Sequence, residues 1–193
     1  MLLQGAIELA NVERWVLEHG ESPPPVGLQG LLKKHAYEVS VVDRFHRLAR
    51  RDFDRKGYVS IWERPLTTGA KGRPKTIDVS LFDTATQEEV RVELGLYKKK
   101  ELREDAKKLH AEKGNPYLAG YTVDRNVLAL WALREEKTTA EVANDWMATF
   151  KADAAAVSNA NLTVTALLAS TLDLFVAEPG GHRYAVVGLF DVA

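Results

Sequence analysis

Apolar residues recur every three or four positions in two N-terminal stretches of the chain. This spacing predicts one helix at residues 2–19 and a stronger one at residues 28–51, because it places apolar side chains on one helical face. Between them, HGESPPPVG at 19–27 holds three consecutive prolines, which cannot continue a helix. The pattern therefore predicts an N-terminal helix and a proline-rich linker at 1–27, followed by a single domain at 28–193.

Alternating apolar and polar positions, rich in β-branched and aromatic residues, then predict strands. Three such stretches occupy residues 58–66, 75–83 and 90–97. Successive side chains on a strand point to opposite faces. Ile77, Val79 and Leu81 should therefore share one face of the second strand, with Asp78 on the other. On the third strand, Glu93 should lie opposite the apolar positions.

The C-terminal half combines further helices and strands. A charged helix is predicted at 98–114 with Gly114 as its C-terminal cap, and a strand at 117–124. Residues 126–136, NVLALWALREE, fit a strand or a helix equally well. A helix at 138–160, a strand or a helix at 162–169 and a strand at 172–192 follow, the last dividing at the turn sequence PGGH. The element order predicts an α/β protein with a C-terminal β-rich extension.

Composition and charge narrow the class of protein. The 193 residues are 46% hydrophobic and 27% charged, which is typical of one globular domain. The absence of cysteine excludes disulfides, thiolate metal sites and a cysteine nucleophile. No signal peptide or apolar run of about 18 residues is recognisable, so we expect a cytoplasmic protein without a membrane partner. The net charge of −1 gives no global argument for nucleic-acid binding, although basic residues cluster between 31 and 108.

Three acidic residues fall at related places in this element order. Glu38 lies on the second predicted helix, and Asp78 and Glu93 lie on two successive strands. Carboxylate oxygens are the ligands that Mg²⁺ prefers, and a bound cation polarises a phosphate and activates water. Each residue also has a structural interpretation. Asp78 would face solvent, Glu93 would pair with Arg91 or a cross-strand lysine, and Glu38 would be a helix-surface residue.

Over roughly residues 31–124, the chain resembles the PD-(D/E)xK nuclease superfamily, which has the restriction-endonuclease-like fold. The resemblance is carried by GRPKTID, which ends at Asp78, by VELG, which contains Glu93, and by Glu38 on the preceding helix. It implies a central mixed sheet flanked by helices, with a core of helix, strand, strand, strand, helix and strand. It also implies that Asp78 and Glu93 bind Mg²⁺ or Mn²⁺, with Glu38 assisting.

The sequence departs from the family pattern at one position. The family lysine should stand two residues after Glu93, where this chain has Gly95. Lys98 or Lys75 would have to replace it, although strand alternation places both on the opposite face from the acidic residues. Without a replacement, the fold would serve binding alone.

The resemblance implies metal-dependent hydrolysis of DNA phosphodiester bonds. Basic residues at Lys71, Arg73, Lys99 and Lys100 would then contact the DNA backbone, giving salt-sensitive binding. The alternative is a catalytically impaired module that binds nucleic acid or a protein partner in a DNA-processing or phage-defence assembly. A homodimer is compatible with either function. A third interpretation is an α/β domain whose resemblance to nucleases is coincidental.

Overall fold

The computed structural model describes residues 3–7, 37–65, 76–135, 141–174 and 183–193. Residues 3–7 are helical. The other helices are α1 (Tyr37–Phe53), a 3₁₀ turn (Asp54–Lys56), α2 (Lys99–Ala111) and α3 (Glu141–Val157). The strands are β1 (Tyr58–Pro65), β2 (Thr76–Asp83), β3 (Glu88–Leu96), β4 (Thr122–Glu135), β5 (Val164–Leu174) and β6 (Arg183–Val192).

The six described strands form one mixed sheet in the order β1-β2-β3-β4-β6-β5. The first three strands are antiparallel neighbours, and the Asp83 carboxylate stabilises the turn between β2 and β3 by accepting hydrogen bonds from the Ala85 and Thr86 N–H groups. Strands β3 and β4 are parallel, so the chain must cross over between them, and α2 makes that crossover. The α/β class with a mixed sheet flanked by helices is confirmed.

Each face of the sheet is covered by its own helices. Helix α1 and residues 3–7 cover the first face, where they pack with Val79, Leu81, Val92 and Leu94. Helices α2 and α3 cover the second face, and their buried side chains include Leu102, Leu109 and Phe150. Because side chains alternate, Arg91 and Glu93 of β3 point to the second face, under α2.

Several sequence predictions are corrected by the structure. Residues 126–136 lie largely in strand β4, which settles the open choice, whereas the strand predicted at 117–124 begins only at Thr122. Helix α2 has Glu112, not Gly114, as its C-terminal cap. Ile77 packs with the second core and Val79 with the first, and the β1–β2 ladder is irregular between these two residues.

The N-terminal residues belong to the same core as the sheet. Leu3, Ala6 and Ile7 are buried in the first core, and Gln4 donates a hydrogen bond to the Ser170 hydroxyl on β5. The linker predicted at 19–27 and the turn PGGH lie outside the described residues. The domain boundary at residue 27 therefore stays a prediction. None of the described helices is long and apolar enough to cross a membrane.

Candidate active site

Asp78 and Glu93 face each other where strands β2 and β3 separate. The last pair of the β2–β3 ladder is Val79 with Val92, so Asp78 and Glu93 occupy the next step. Beyond that pair, a side chain replaces a backbone carbonyl as the hydrogen-bond acceptor. The Leu94 N–H donates a hydrogen bond of 2.8 Å to Asp78 Oδ2. The strand pair predicted from sequence thus brings the two carboxyl groups together.

Lys108 of helix α2 completes this group of side chains. Its ammonium donates a hydrogen bond of 2.6 Å to Glu93 Oε2 and one of 3.0 Å to the carbonyl oxygen of Thr76. Glu93 therefore pairs with a helix lysine rather than with Arg91 or a cross-strand lysine. The site includes a lysine even though Gly95 replaces the family residue.

Glu93 is the most buried member of the site and is incompletely paired. It is 3% exposed, and its Oε1 accepts no hydrogen bond from any described N–H or hydroxyl group. Burial, followed by the charge of Asp78, raises the pKa of the Glu93 carboxyl well above its usual value. Burial also raises the pKa of Asp78. A buried acceptor without a donor is costly, and a proton shared with the neighbouring Asp78 carboxyl group, an ordered water or a bound ion would each satisfy it.

Asp105 adds a third carboxyl group from the same helix as Lys108. It stands three residues before Lys108, so the two side chains project from one helical face. Burial raises the pKa of Asp105 to about 6, with the nearby charge of Asp78 acting in the same direction and that of Lys108 opposing it. Three carboxyl groups therefore share one ammonium group at the junction of β2, β3 and α2.

A second buried cluster holds the end of α2 against the sheet. The Arg91 guanidinium pairs with both carboxylate oxygens of Glu89, at 3.0 and 3.1 Å, and donates to the carbonyl oxygens of Glu112 and Asn115. Arg91 and Glu89 are both fully buried. Because Glu112 lies one turn beyond Lys108, this clamp fixes the part of α2 that faces Glu93.

The described residues offer two neighbouring carboxyl groups, rather than a complete set of side-chain ligands, to a divalent cation. Within the described ranges, no three His, Cys, Asp or Glu side chains are grouped closely enough to hold a metal ion directly. Mg²⁺ is usually held by one or two carboxylates and keeps several of its waters. Asp78 and the unpaired oxygen of Glu93 match that requirement.

The remaining predicted residues lie elsewhere or outside the described residues. Lys98 pairs with Glu101 at 2.7 Å, Lys99 with Asp153 at 2.9 Å and Lys100 with Glu104 at 3.7 Å. Lys71, Arg73 and Lys75 fall outside the described residues. Glu38 lies on α1, which packs on the other face of the sheet, and its side chain is not described.

Sequence reasoning missed Asp105 and Lys108 as members of the site. A signal was available, because both flank the apolar stripe of α2 formed by Leu102, Ala106 and Leu109, which are fully buried. A polar side chain beside such a stripe lies at the boundary between helix and sheet rather than in open solvent. The crossover between β3 and β4 then brings that boundary over Glu93.

No protein-family model, curated protein or solved structure matches this chain. The site must therefore be interpreted from its own chemistry.

Proposed function

We propose that this protein is a Mg²⁺-dependent nuclease that hydrolyses phosphodiester bonds in DNA. One observation carries the proposal: the buried, unpaired Glu93 oxygen lies beside the Asp78 carboxyl group, and the Lys108 ammonium is 2.6 Å from the other Glu93 oxygen. Two acidic groups and a lysine are the equipment that metal-assisted phosphodiester hydrolysis needs.

The restriction-endonuclease-like fold is part of this proposal. Its support is the order helix, strand, strand, strand, helix and strand from α1 to β4, together with the parallel pairing of β3 and β4. The acidic pair lies where β2 and β3 separate, which agrees with the motif positions that the resemblance assigns to Asp78 and Glu93.

Asp78 and Glu93 would hold the cation, which when bound polarises a phosphate oxygen and lowers the pKa of its water. The Leu94 N–H keeps the Asp78 carboxylate oriented by its hydrogen bond. Lys108, already beside Glu93, is placed to orient an attacking water or to stabilise charge that develops on the phosphate. In this proposal Lys108 takes the role that sequence reasoning gave to Lys98 or Lys75.

A binding module without catalysis is the second candidate. The Lys108–Glu93 ion pair favours it, because the ammonium group satisfies one oxygen of the residue that should bind the metal. Gly95 favours it as well, since glycine supplies neither charge nor a hydrogen-bond donor at the family's lysine position.

The test measures Mn²⁺ binding by calorimetry and Mg²⁺-dependent cleavage of plasmid and single-stranded DNA. We expect Asp78→Asn to lose both. Lys108→Ala should cut cleavage by about 100-fold or more, the usual loss when one transition-state donor is removed. It should bind Mn²⁺ at least as tightly as wild type, because a competing positive charge is gone. Lys107→Ala, an exposed neighbour on α2, is the matched control and should change neither.

The same assay separates the alternatives. If Lys108→Ala still cleaves DNA and Lys98→Ala does not, Lys98 rather than Lys108 would be the lysine that orients the water or stabilises charge on the phosphate. Wild type that binds Mn²⁺ and DNA but cuts neither substrate would identify the binding module. Wild type that binds no divalent cation would reject the proposed site.

A further inference from the structure

Strand β1 places an acidic residue directly across from Asp78. The β1–β2 pairing runs from Trp62 with Val79 to Arg64 with Ile77, and the ladder has no pair between Glu63 and Asp78, which stand opposite each other in that register. The exposed Glu63 has a φ of +47°. Asp78 thus lies where its strand is irregular on the β1 side and is separating from β3 on the other.

The backbone conformation of Glu63 is unusual for its place. Among the described residues, Glu63 and Gln87 are the non-glycine positions with positive φ, at 47° and 58°. Gln87 lies in the turn between β2 and β3, where positive φ is common. Glu63 lies inside a strand, where this conformation is strained and persists only if something else determines it.

In the β1–β2 register, Glu63 and Asp78 occupy adjacent positions on neighbouring strands, so two acidic side chains lie at the same step of the sheet. Independently, Glu93 Oε1 is buried and accepts no hydrogen bond from any described N–H or hydroxyl group. An extra negative charge beside two carboxyl groups is unfavourable unless a cation is bound among them or a carboxyl group is protonated.

We propose that Glu63 is a third carboxylate of the cation site and that it holds the hydrated ion from its outer coordination shell. This inference rests on the cation site of the proposed function. Direct ligation by three side chains is not what the described residues provide. A cation that keeps several waters can instead donate hydrogen bonds through them to a carboxylate on β1. Outer-shell acceptors of this kind contribute about 10–100-fold to metal affinity.

The experiment compares Glu63→Gly with wild type by calorimetric titration with Mn²⁺ and by thermal unfolding without metal. Glycine adopts positive φ freely, so we expect the Tm to rise by about 3 °C. We expect Mn²⁺ affinity to fall by about tenfold. A residue whose role was only structural would not show a gain of stability together with a loss of affinity.

Two variants serve as controls. Gln87→Gly likewise puts glycine at a position of positive φ, but this position lies away from the site. Mn²⁺ affinity should therefore not change. Glu63→Gln keeps the backbone and removes the charge, so affinity should fall while the Tm without metal rises by less than it does in Glu63→Gly.

The outcomes distinguish this inference from the proposed function. If wild type binds Mn²⁺ and Glu63→Gly binds it equally well, the outer-shell role is wrong and the Asp78–Glu93 site stands. If wild type binds no Mn²⁺, the cation site itself is wrong, and so is the role proposed for Glu63.

Discussion

Strand β3 carries two buried glutamates on the same face, and their surroundings differ. Glu89 and Glu93 are 0% and 3% exposed. Glu89 receives donors at both of its oxygens, from Arg91, the Ser80 hydroxyl and the Tyr117 N–H. Glu93 has Lys108 at one oxygen and no described N–H or hydroxyl donor at the other.

The comparison shows that burial alone does not mark a candidate site. Glu89 and Arg91 form a neutral pair in which every carboxylate oxygen has a partner, as a structural ion pair requires. Glu93 shares its single lysine with Asp78 and Asp105, and burial raises the pKa of all three carboxyl groups, so a proton or a cation is needed to balance the group. This difference is why the proposed function is assigned to Glu93 and a structural role to Glu89.

The largest expected effect is at the structural cluster. Arg91→Met leaves the Glu89 carboxylate buried without its countercharge and releases the carbonyl oxygens of Glu112 and Asn115. We expect a loss of about 3–5 kcal/mol in the free energy of unfolding, the usual consequence of breaking a buried pair. Urea denaturation followed by circular dichroism measures it.

The double variant Arg91→Met/Glu89→Leu is the control for that loss. It removes both charges, and replacing a buried ion pair with apolar groups is often neutral or stabilising, so most of the lost stability should return. A single variant that loses less than about 1 kcal/mol would show that Glu89 is not held as the geometry indicates.

Local pattern was enough to predict one part of the site. Alternation along two short strands placed Asp78 and Glu93 on the same face, and the hairpin between them made their meeting a local event. Lys108 could not be placed in the same way, because its position depends on how α2 is rotated and where it crosses the sheet. That arrangement is fixed by Arg91, whose carbonyl partners lie more than 20 residues away along the chain.

The same limit explains the fold predictions. Strands β1, β2 and β3 follow from local alternation, whereas residues 126–135 became a strand through pairing with β3 and β6 on either side. Such a central strand is apolar on both faces, so its sequence lacks the alternation that would have identified it. Ile77 was misassigned because alternation assumes a regular strand, and β2 is not regular between Ile77 and Val79.

A medium effect is expected at Asp105, on the functional side of the comparison. Its pKa of about 6 in the folded state lies above the ordinary 3.8, so the folded protein binds the proton more tightly than the unfolded chain does. Stability contributed by this residue should therefore fall as pH rises from about 4 through about 6. Asp105→Asn should match wild type near pH 4 and exceed it by about 1–2 kcal/mol at pH 8, after allowance for partial exposure.

Glu104→Gln provides the control for this pH dependence. Glu104 is the preceding residue on α2, and its side chain is 61% exposed beside Lys100. The Glu104 charge contributes only a minor part of the raised pKa of Asp105, so unfolding free energies of this variant measured from pH 4 to pH 8 should depend on pH almost as strongly as those of wild type. The difference in unfolding free energy between Asp105→Asn and wild type should grow with pH. A constant difference would mean that the surroundings of Asp105 do not raise its pKa.

The smallest effect is expected where a charged pair is neither buried nor short of partners. The Lys100 side chain is 82% exposed and lies 3.7 Å from Glu104, so Lys100→Ala should change the unfolding free energy by less than about 0.5 kcal/mol. If Lys100 contacts DNA phosphate, the variant should weaken binding to all sequences alike and reduce the slope of log affinity against log salt by about 1. A stability loss above about 1 kcal/mol would contradict the expectation that exposed pairs contribute less stability than the buried groups on β3 and α2. An unchanged salt slope would limit DNA contacts to other basic residues and leave the contrast between Glu89 and Glu93 intact.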